Sequence, residues 1–327
     1  MRDFVKKLAD GERFFLEIDL PEGTDLTELV PLINEILEKG DPLTIDRGTF
    51  PGLKAEKINF SKLNYAWEPS YPLCFVKSNL KEANFSGANL KGADFSKSNL
   101  SFAKLKEADM EGADFQDSDL SSAYMKKSNL SNADFSNAFM ERADLRESRA
   151  HLTNFANANL HRANLEGIEL FKTDFRGADL SEANMNCSFG SADFTDCIMS
   201  SASIKEAEYN HSIFTRAKLD GAKADDTSLY KIDFSYATCK NASLKYLYGE
   251  HIDFYKADLR KADFEGSELY KVDFTETYLD GANFTDAKIR FAIFYAVDLT
   301  KVNLEKAEIN DTIFVNCKGF KQKNNSR

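Results

Sequence analysis

The sequence predicts an all-β solenoid, a four-sided β-helix of about 13 coils with some twenty residues in each. Three observations carry that prediction. A large apolar residue recurs at every fifth position over roughly 240 residues, from Phe75 to Phe314. The residue two places before it is nearly always small, as in Ala83-Asn84-Phe85-Ser86-Gly87 and Ala88-Asn89-Leu90-Lys91-Gly92. Phenylalanine also returns on a slower beat of twenty: Phe75, Phe95, Phe115, Phe135, Phe155 and Phe175, then Phe194, Phe214, Phe234, Phe254, Phe274, Phe294 and Phe314.

A period of five matches neither the helix nor the strand repeat. It suits short extended sides joined by corners, each side turning one large and one small residue inward and leaving three to water. A phenylalanine confined to one side in four implies four sides per coil. One coil buries little, so coils must stack, about 4.8 Å apart if they pair as parallel strands. A second bulky residue per side would overpack the axis, and Ser or Thr is tolerated there only when bonded to backbone.

Residues 1–42 lack the beat and are expected to form a small α/β cap. Phe14, Leu16, Ile18 and Leu20 alternate as a strand, and the segment from Thr24 to Gly40 has helical character, with Pro31 in its first turns or delaying its start. Residues 43–74 form irregular first coils, interrupted by Trp67-Glu68-Pro69-Ser70-Tyr71-Pro72 without loss of phase. The regular solenoid covers 75–317, with a one-residue slip at 186–189 after which the centres resume at Phe189 and Phe194. Residues 318–327 are a tail. Either the last coil meets a second copy of the chain, giving a homodimer through the C-terminal coil, or Phe320 folds over it.

The chain has 53 acidic and 42 basic residues, a net charge of -11. That balance and the lack of a basic stripe argue against direct nucleic-acid binding. No apolar run is long enough to span a membrane and the N-terminus lacks a secretory pattern, so a cytoplasmic protein is expected. Cys74, Cys187, Cys197, Cys239 and Cys317 have no metal-ligand spacing; Cys187, Cys197 and Cys317 fall in the small-residue phase and Cys239 at a centre, as buried thiols would. The outward histidines His151, His161, His211 and His251 form no metal set. With no nucleophile–base arrangement, phosphate loop or cofactor motif, neither a cofactor nor an enzymatic activity is expected.

Two surface features remain. Asp94, Asp114, Asp134, Asp174, Asp193, Asp233, Asp253 and Asp273 each precede a wall phenylalanine, forming an acidic stripe along one corner. The stripe either accepts backbone N–H groups in Asx turns, offers negative charge to a basic partner, or does both. Tyr230, Tyr246, Tyr248, Tyr255, Tyr270, Tyr278, Phe291 and Tyr295 occupy outward phases in the second half, as interface anchors or as neighbours shielding the wall.

The Ala-Asp/Asn-Leu/Phe pattern with two variable residues resembles the pentapeptide repeat family. The resemblance implies a right-handed quadrilateral β-helix. Some members resemble B-form DNA in width and charge and bind type II topoisomerases. This chain shares their acidic balance but lacks large external loops and a C-terminal dimerising helix, and its many lysines dilute the field. The sequence is therefore read as a non-catalytic scaffold or protein-interaction module for an unidentified protein partner. The alternative is a DNA mimic that binds DNA gyrase or a related topoisomerase.

Overall fold

The structure is a computed structural model and describes residues 2–12, 14–15, 18–39, 43–45, 48–61, 63–65 and 73–319. In chain order its elements are α1 (Arg2–Ala9), β1 (Phe14–Phe15), β2 (Ile18–Asp19), α2 (Val30–Lys39), β3 (Thr44–Ile45), β4 (Gly48–Thr49), β5 (Asn64–Tyr65), β6 (Arg149–His151) and β7 (Glu169–Asp174). There follow β8 (Phe189–Asp193), β9 (Glu208–Asn210), β10 (Ser228–Asp233), β11 (Tyr248–Asp253), β12 (Glu268–Tyr270), β13 (Lys288–Arg290), β14 (Ile293–Tyr295), β15 (Glu308–Asn310) and β16 (Ile313–Val315). The chain forms two compact units, Met1–Asp179 and Leu180–Arg327. Each is a parallel β-solenoid whose coils, beyond the one that holds α2, are twenty residues long except for one of 25 in the first and one of 19 at the start of the second.

One repeat accounts for its own architecture. In Asp94–Ser98, the Asp94 N–H bonds back to the Leu73 carbonyl (2.8 Å), while Phe95 and Lys97 donate forward to Asp114 (2.7 Å) and Gln116 (2.8 Å). Ser98 N–H closes a turn onto the Phe95 carbonyl (3.2 Å), and Ser96 N–H bonds the Asp94 carboxylate (2.9 Å). All five N–H groups are thereby satisfied. Lys97 has a φ of 60° with the residue before it on the ordinary side, the pattern of a type II turn, and the same corner recurs every five residues. Four such corners close a coil.

Inside the first unit, Phe50, Phe75, Phe95, Phe115, Phe135, Phe155 and Phe175 stack with centroids 4.8 to 5.1 Å apart and planes within 14°. In the second, Phe194 through Phe314 stack at 4.6 to 5.5 Å and within 20°. The twenty-residue phenylalanine ladder expected from the sequence is thus present in each unit. Before the last coil the small companion positions are buried, and hydroxyls there bond a carbonyl either of their own turn, as Ser118 does to Phe115 (2.6 Å), or of the previous coil: Ser98 to Phe75 (2.5 Å), Thr153 to Leu130 (2.8 Å), Thr227 to Ile204 (2.9 Å) and Thr277 to Phe254 (2.9 Å).

Ser267 is the exception, since its Oγ is buried without a partner among the described residues. Replacing it with Ala, the usual occupant of that position, removes an unsatisfied polar atom and should raise unfolding free energy by about 1 kcal/mol in urea melts. A loss of stability would show that the hydroxyl has a partner after all.

At the N-terminus, stacking begins earlier than the five-residue beat suggests. β1 pairs with β3 and β2 with β4 in parallel, and Asp25 bridges Lys54. Phe15, Leu20 and Leu26 are buried as centres of a first coil whose fourth side is replaced by α2. The helix starts at Val30 rather than near Thr24, because the chain through Leu26 is held by the coil beside it and Pro31 occupies the first turn. α1 was not expected; Phe4 and Leu8 lie one turn apart and are buried, Phe4 edge-on to Phe15 at 5.3 Å. Pairing at 25-residue separation (Lys54 with Asn79, Asn59 with Asn84, Asn64 with Asn89) shows that one extra repeat length is inserted in that coil, which is why phase survives. Gly40, Trp67–Pro72 and Phe320 lie outside the described residues.

The slip is displaced from its expected place. Phe189 is exposed and pairs with Glu208, whereas Gly190 takes the centre phase opposite Tyr209. The lost residue is therefore a corner residue between Gly190 and Ala192. With no side chain at Gly190, the Tyr209 ring fits wholly inside, its hydroxyl 2.5 Å from Ser188 Oγ. Cys187 consequently sits exposed at a corner with a φ of 54°, not at a small inward position; Cys197 and Cys239 are buried.

Candidate functional site

The acidic stripe is built into the backbone's hydrogen bonding. One oxygen of each of the eight aspartates accepts the N–H two residues on: Ser96, Gln116, Ser136, Arg176, Thr195, Ser235, Tyr255 and Thr275, at 2.7 to 2.9 Å. Asn154 does the same for Ala156 (2.9 Å). In the first unit Asp94, Asp114, Asp134, Asn154 and Asp174 are bridged in succession. In the second, Asp193, Ile213, Asp233, Asp253, Asp273, Ile293 and Ile313 follow one another, so the row turns aliphatic at its end.

Stacked carboxylates repel. Partial burial, with Asp94 and Asp134 adding repulsion, raises the Asp114 pKa above the ordinary 3.8, and burial with Asp273 and Asp233 does so for Asp253. For Asp174, burial is overcome by the Arg176 guanidinium at 2.5 Å, and the pKa falls. A raised folded-state pKa favours the fold at low pH and loses that contribution as pH rises through it. Asp114→Asn keeps the turn acceptor and removes the repulsion, so at pH 7 it should match or slightly exceed wild-type stability, the difference vanishing below pH 3.8. Thermal melts across pH check this; a marked loss at pH 7 would mean that the charge itself is needed.

The aromatic set does not form one patch. Tyr230, Tyr248, Tyr270 and Phe291 share the wall of β9 to β13, Tyr255 and Tyr295 lie on the phenylalanine wall, Tyr278 is on the next wall, and Tyr246 is at a further corner. Tyr246, Tyr248, Tyr278, Phe291 and Tyr295 are exposed; Tyr230, Tyr255 and Tyr270 are half-buried. Tyr246 lies over Gly266, where a Cβ would come within 2.6 Å of the ring. Corner lysines cover three of the rings: Lys231 over Tyr230, Lys256 over Tyr255 and Lys271 over Tyr270, each 5.0 Å from the centroid. Tyr230 sits between His211 (5.6 Å) and His251 (6.1 Å), and Tyr270 edges Phe291 (5.2 Å).

Sequence reasoning missed Tyr236, exposed and 5.5 Å from Tyr255 in a T-shaped pair. Its corner phase, immediately after Ser235, was the available signal.

Concavities are shallow. A hollow of about 660 Å3 lies where α2 meets the early coils, lined by Asn34, Glu38, Lys57, Lys81, Phe102 and Lys104 among others. Another of about 240 Å3 lies between Tyr248, Tyr270, Lys288 and Arg290. Neither gathers a nucleophile with a base, and no group of metal-ligating residues occurs among those described. No helix among the described residues is long and apolar enough to cross a membrane.

A four-sided parallel coil with type II corners, wall phenylalanines in column and Asp or Asn completing each turn defines a β-helix of five-residue repeats. The family model for pentapeptide repeats matches in eight copies, over residues 74–112, 113–149, 151–186, 212–245, 250–286, 267–305 and 282–318. The chain belongs to the pentapeptide repeat family. Among solved structures it is similar to QnrB1, a plasmid-mediated fluoroquinolone resistance protein, at 19% identity and a TM-score of 0.37, over 52% of this chain and 86% of that one. It is also similar to HetL, a pentapeptide repeat protein involved in heterocyst differentiation regulation from the cyanobacterium Nostoc sp. strain PCC 7120, at 20% identity and a TM-score of 0.21, over 94% of both chains. Among curated protein sequences, none matches.

Proposed function

We propose that the chain is a binding module with no catalytic step, which recognises a protein partner through aromatic side chains of its second unit. The observation that carries this reading is the cluster of Tyr236, Tyr255 and Lys256, in which two rings and an ammonium are held on a rigid wall, with exposed Tyr295 two coils further along it. Tyrosines held this way lose little entropy on binding. Affinity capture from native cells, with wild type against Tyr255→Ser/Tyr295→Ser, tests it. Loss of a captured protein is expected, and an unchanged set contradicts the reading. Cys197 and Cys239, packed as small apolar side chains inside the coil, suit a reducing compartment, in keeping with the cytoplasm.

The inward residues of the last coil, including Leu304, Ile309 and Phe314, are only half-buried, whereas Phe284, Ile289 and Phe294 one coil earlier are buried. A homodimer closed end-on through this C-terminal coil fits that exposure. Sedimentation equilibrium showing a monomer at every concentration would rule it out.

A second reading, brought by the family resemblance, is mimicry of DNA toward gyrase or a related topoisomerase. It is favoured by the first unit alone, where Asp94, Asp114 and Asp134 run beside the uncharged corner Gly92, Gly112 and Asn132. Asp94→Asn/Asp114→Asn/Asp134→Asn should then fold normally and lose any effect on gyrase supercoiling. Equal effect in wild type and variant would eliminate it.

A further inference from the structure

In the second unit the corner before the phenylalanine wall carries His211, Lys231, His251 and Lys271 on successive coils, all exposed, with φ of 52° to 55°. Two residues further on, Ile213, Asp233, Asp253 and Asp273 form the neighbouring column. A ridge of lysines alternating with histidines thus runs beside an anionic row at the same coil spacing. Among the described residues no ion pair within 4 Å joins the two columns. Lys231 and Lys271 lie over their own tyrosines, and the aspartates hold turn N–H groups.

We propose that these paired columns are a lateral contact between two copies of the chain, lying side by side and parallel. A two-fold axis along the stack, midway between the columns, exchanges them. Lys231 of each copy then meets Asp233 of the other, His251 meets Asp253, and Lys271 meets Asp273, coil by coil without accumulating mismatch. A two-fold across the stack would set cation against cation. An acidic peptide fits less well, because the aspartate row lies beside the ridge and repels it. A second copy presents both signs in the required order. The strip spans only a few coils at about 4.8 Å each, so the contact is small, weak and salt-sensitive.

This contact is distinct from end-on pairing and is tested on the full chain by sedimentation velocity at low and high salt. Wild type should show a self-association step that weakens roughly tenfold in high salt. Lys231→Glu/Lys271→Glu should abolish that step, as should Asp233→Asn/Asp253→Asn/Asp273→Asn, which keeps the turn acceptors. Mixing the two variants should restore association, because an all-acidic strip then faces a basic one. Circular dichroism and melting confirm that both are folded; should the Asn variant unfold, loss of the association step in the folded Lys variant alone carries the test. A monomeric wild type, either folded variant associating as wild type does, or a mixture that stays apart overturns the proposal.

Discussion

Phe115→Ala should lower the unfolding free energy by about 3–5 kcal/mol. The Phe115 ring is fully buried, 5.0 Å from Phe95 and 4.8 Å from Phe135, with planes within 3° of both. Deleting it removes the transferred apolar area and leaves a void that neighbouring coils cannot close, because each coil's height is set by backbone bonds to the next. The hydrogen-bonded walls resist collapse more than a helical core would, so the upper part of that range is expected. Urea denaturation followed by circular dichroism measures it. A cost below about 1.5 kcal/mol would show that the column is loosely packed and contributes little.

Asn34→Ala should destabilise the N-terminal end by about 1–3 kcal/mol. The Asn34 amide donates to the Lys57 carbonyl (2.9 Å) and accepts from Asn59 N–H (2.7 Å), the two bonds that a further coil would make on that side. α2 thus caps the open edge of the stack with one side chain, and the Asn59 carboxamide continues the chain of bonds to Asn84 (3.1 Å). Hydrogen exchange should speed up at the Asn59 amide while the Phe115 amide is unaffected. Loss of the cap should also raise aggregation, since an uncovered strand edge pairs with other chains. Unchanged exchange at Asn59 would mean that the helix itself, and not this amide, covers the edge.

The repeat was legible because the same five-residue problem is solved in every coil, so periodic signals reinforce one another. The Asx role of the stripe was legible for the same reason, as Asn replaces Asp at Asn154 without disturbing the turn. Features that occur once were harder. α1 spans eight residues with Phe4 and Leu8 as its buried pair, too short to show a period. The slip was misplaced because Phe189 has the composition of a centre, while the register is set by backbone pairing that puts Gly190 there. Cys187 was misassigned with it. The lysine and histidine ridge went unnoticed because corner positions accept almost any side chain, so composition gives no hint that two lysines and two histidines line up; the parallel pairing of β9 to β12 shows it.

The central claim is that each five-residue unit satisfies its own backbone, with the Asp or Asn side chain holding the last free N–H, so the outward side chains are left for recognition. Hydrogen exchange at the Gln116 amide, held by Asp114 at 2.8 Å, tests this most directly. Protection should persist in wild type and Asp114→Asn and fall at least roughly tenfold in Asp114→Ala, the loss of one net hydrogen bond. Equal protection in all three would contradict the account.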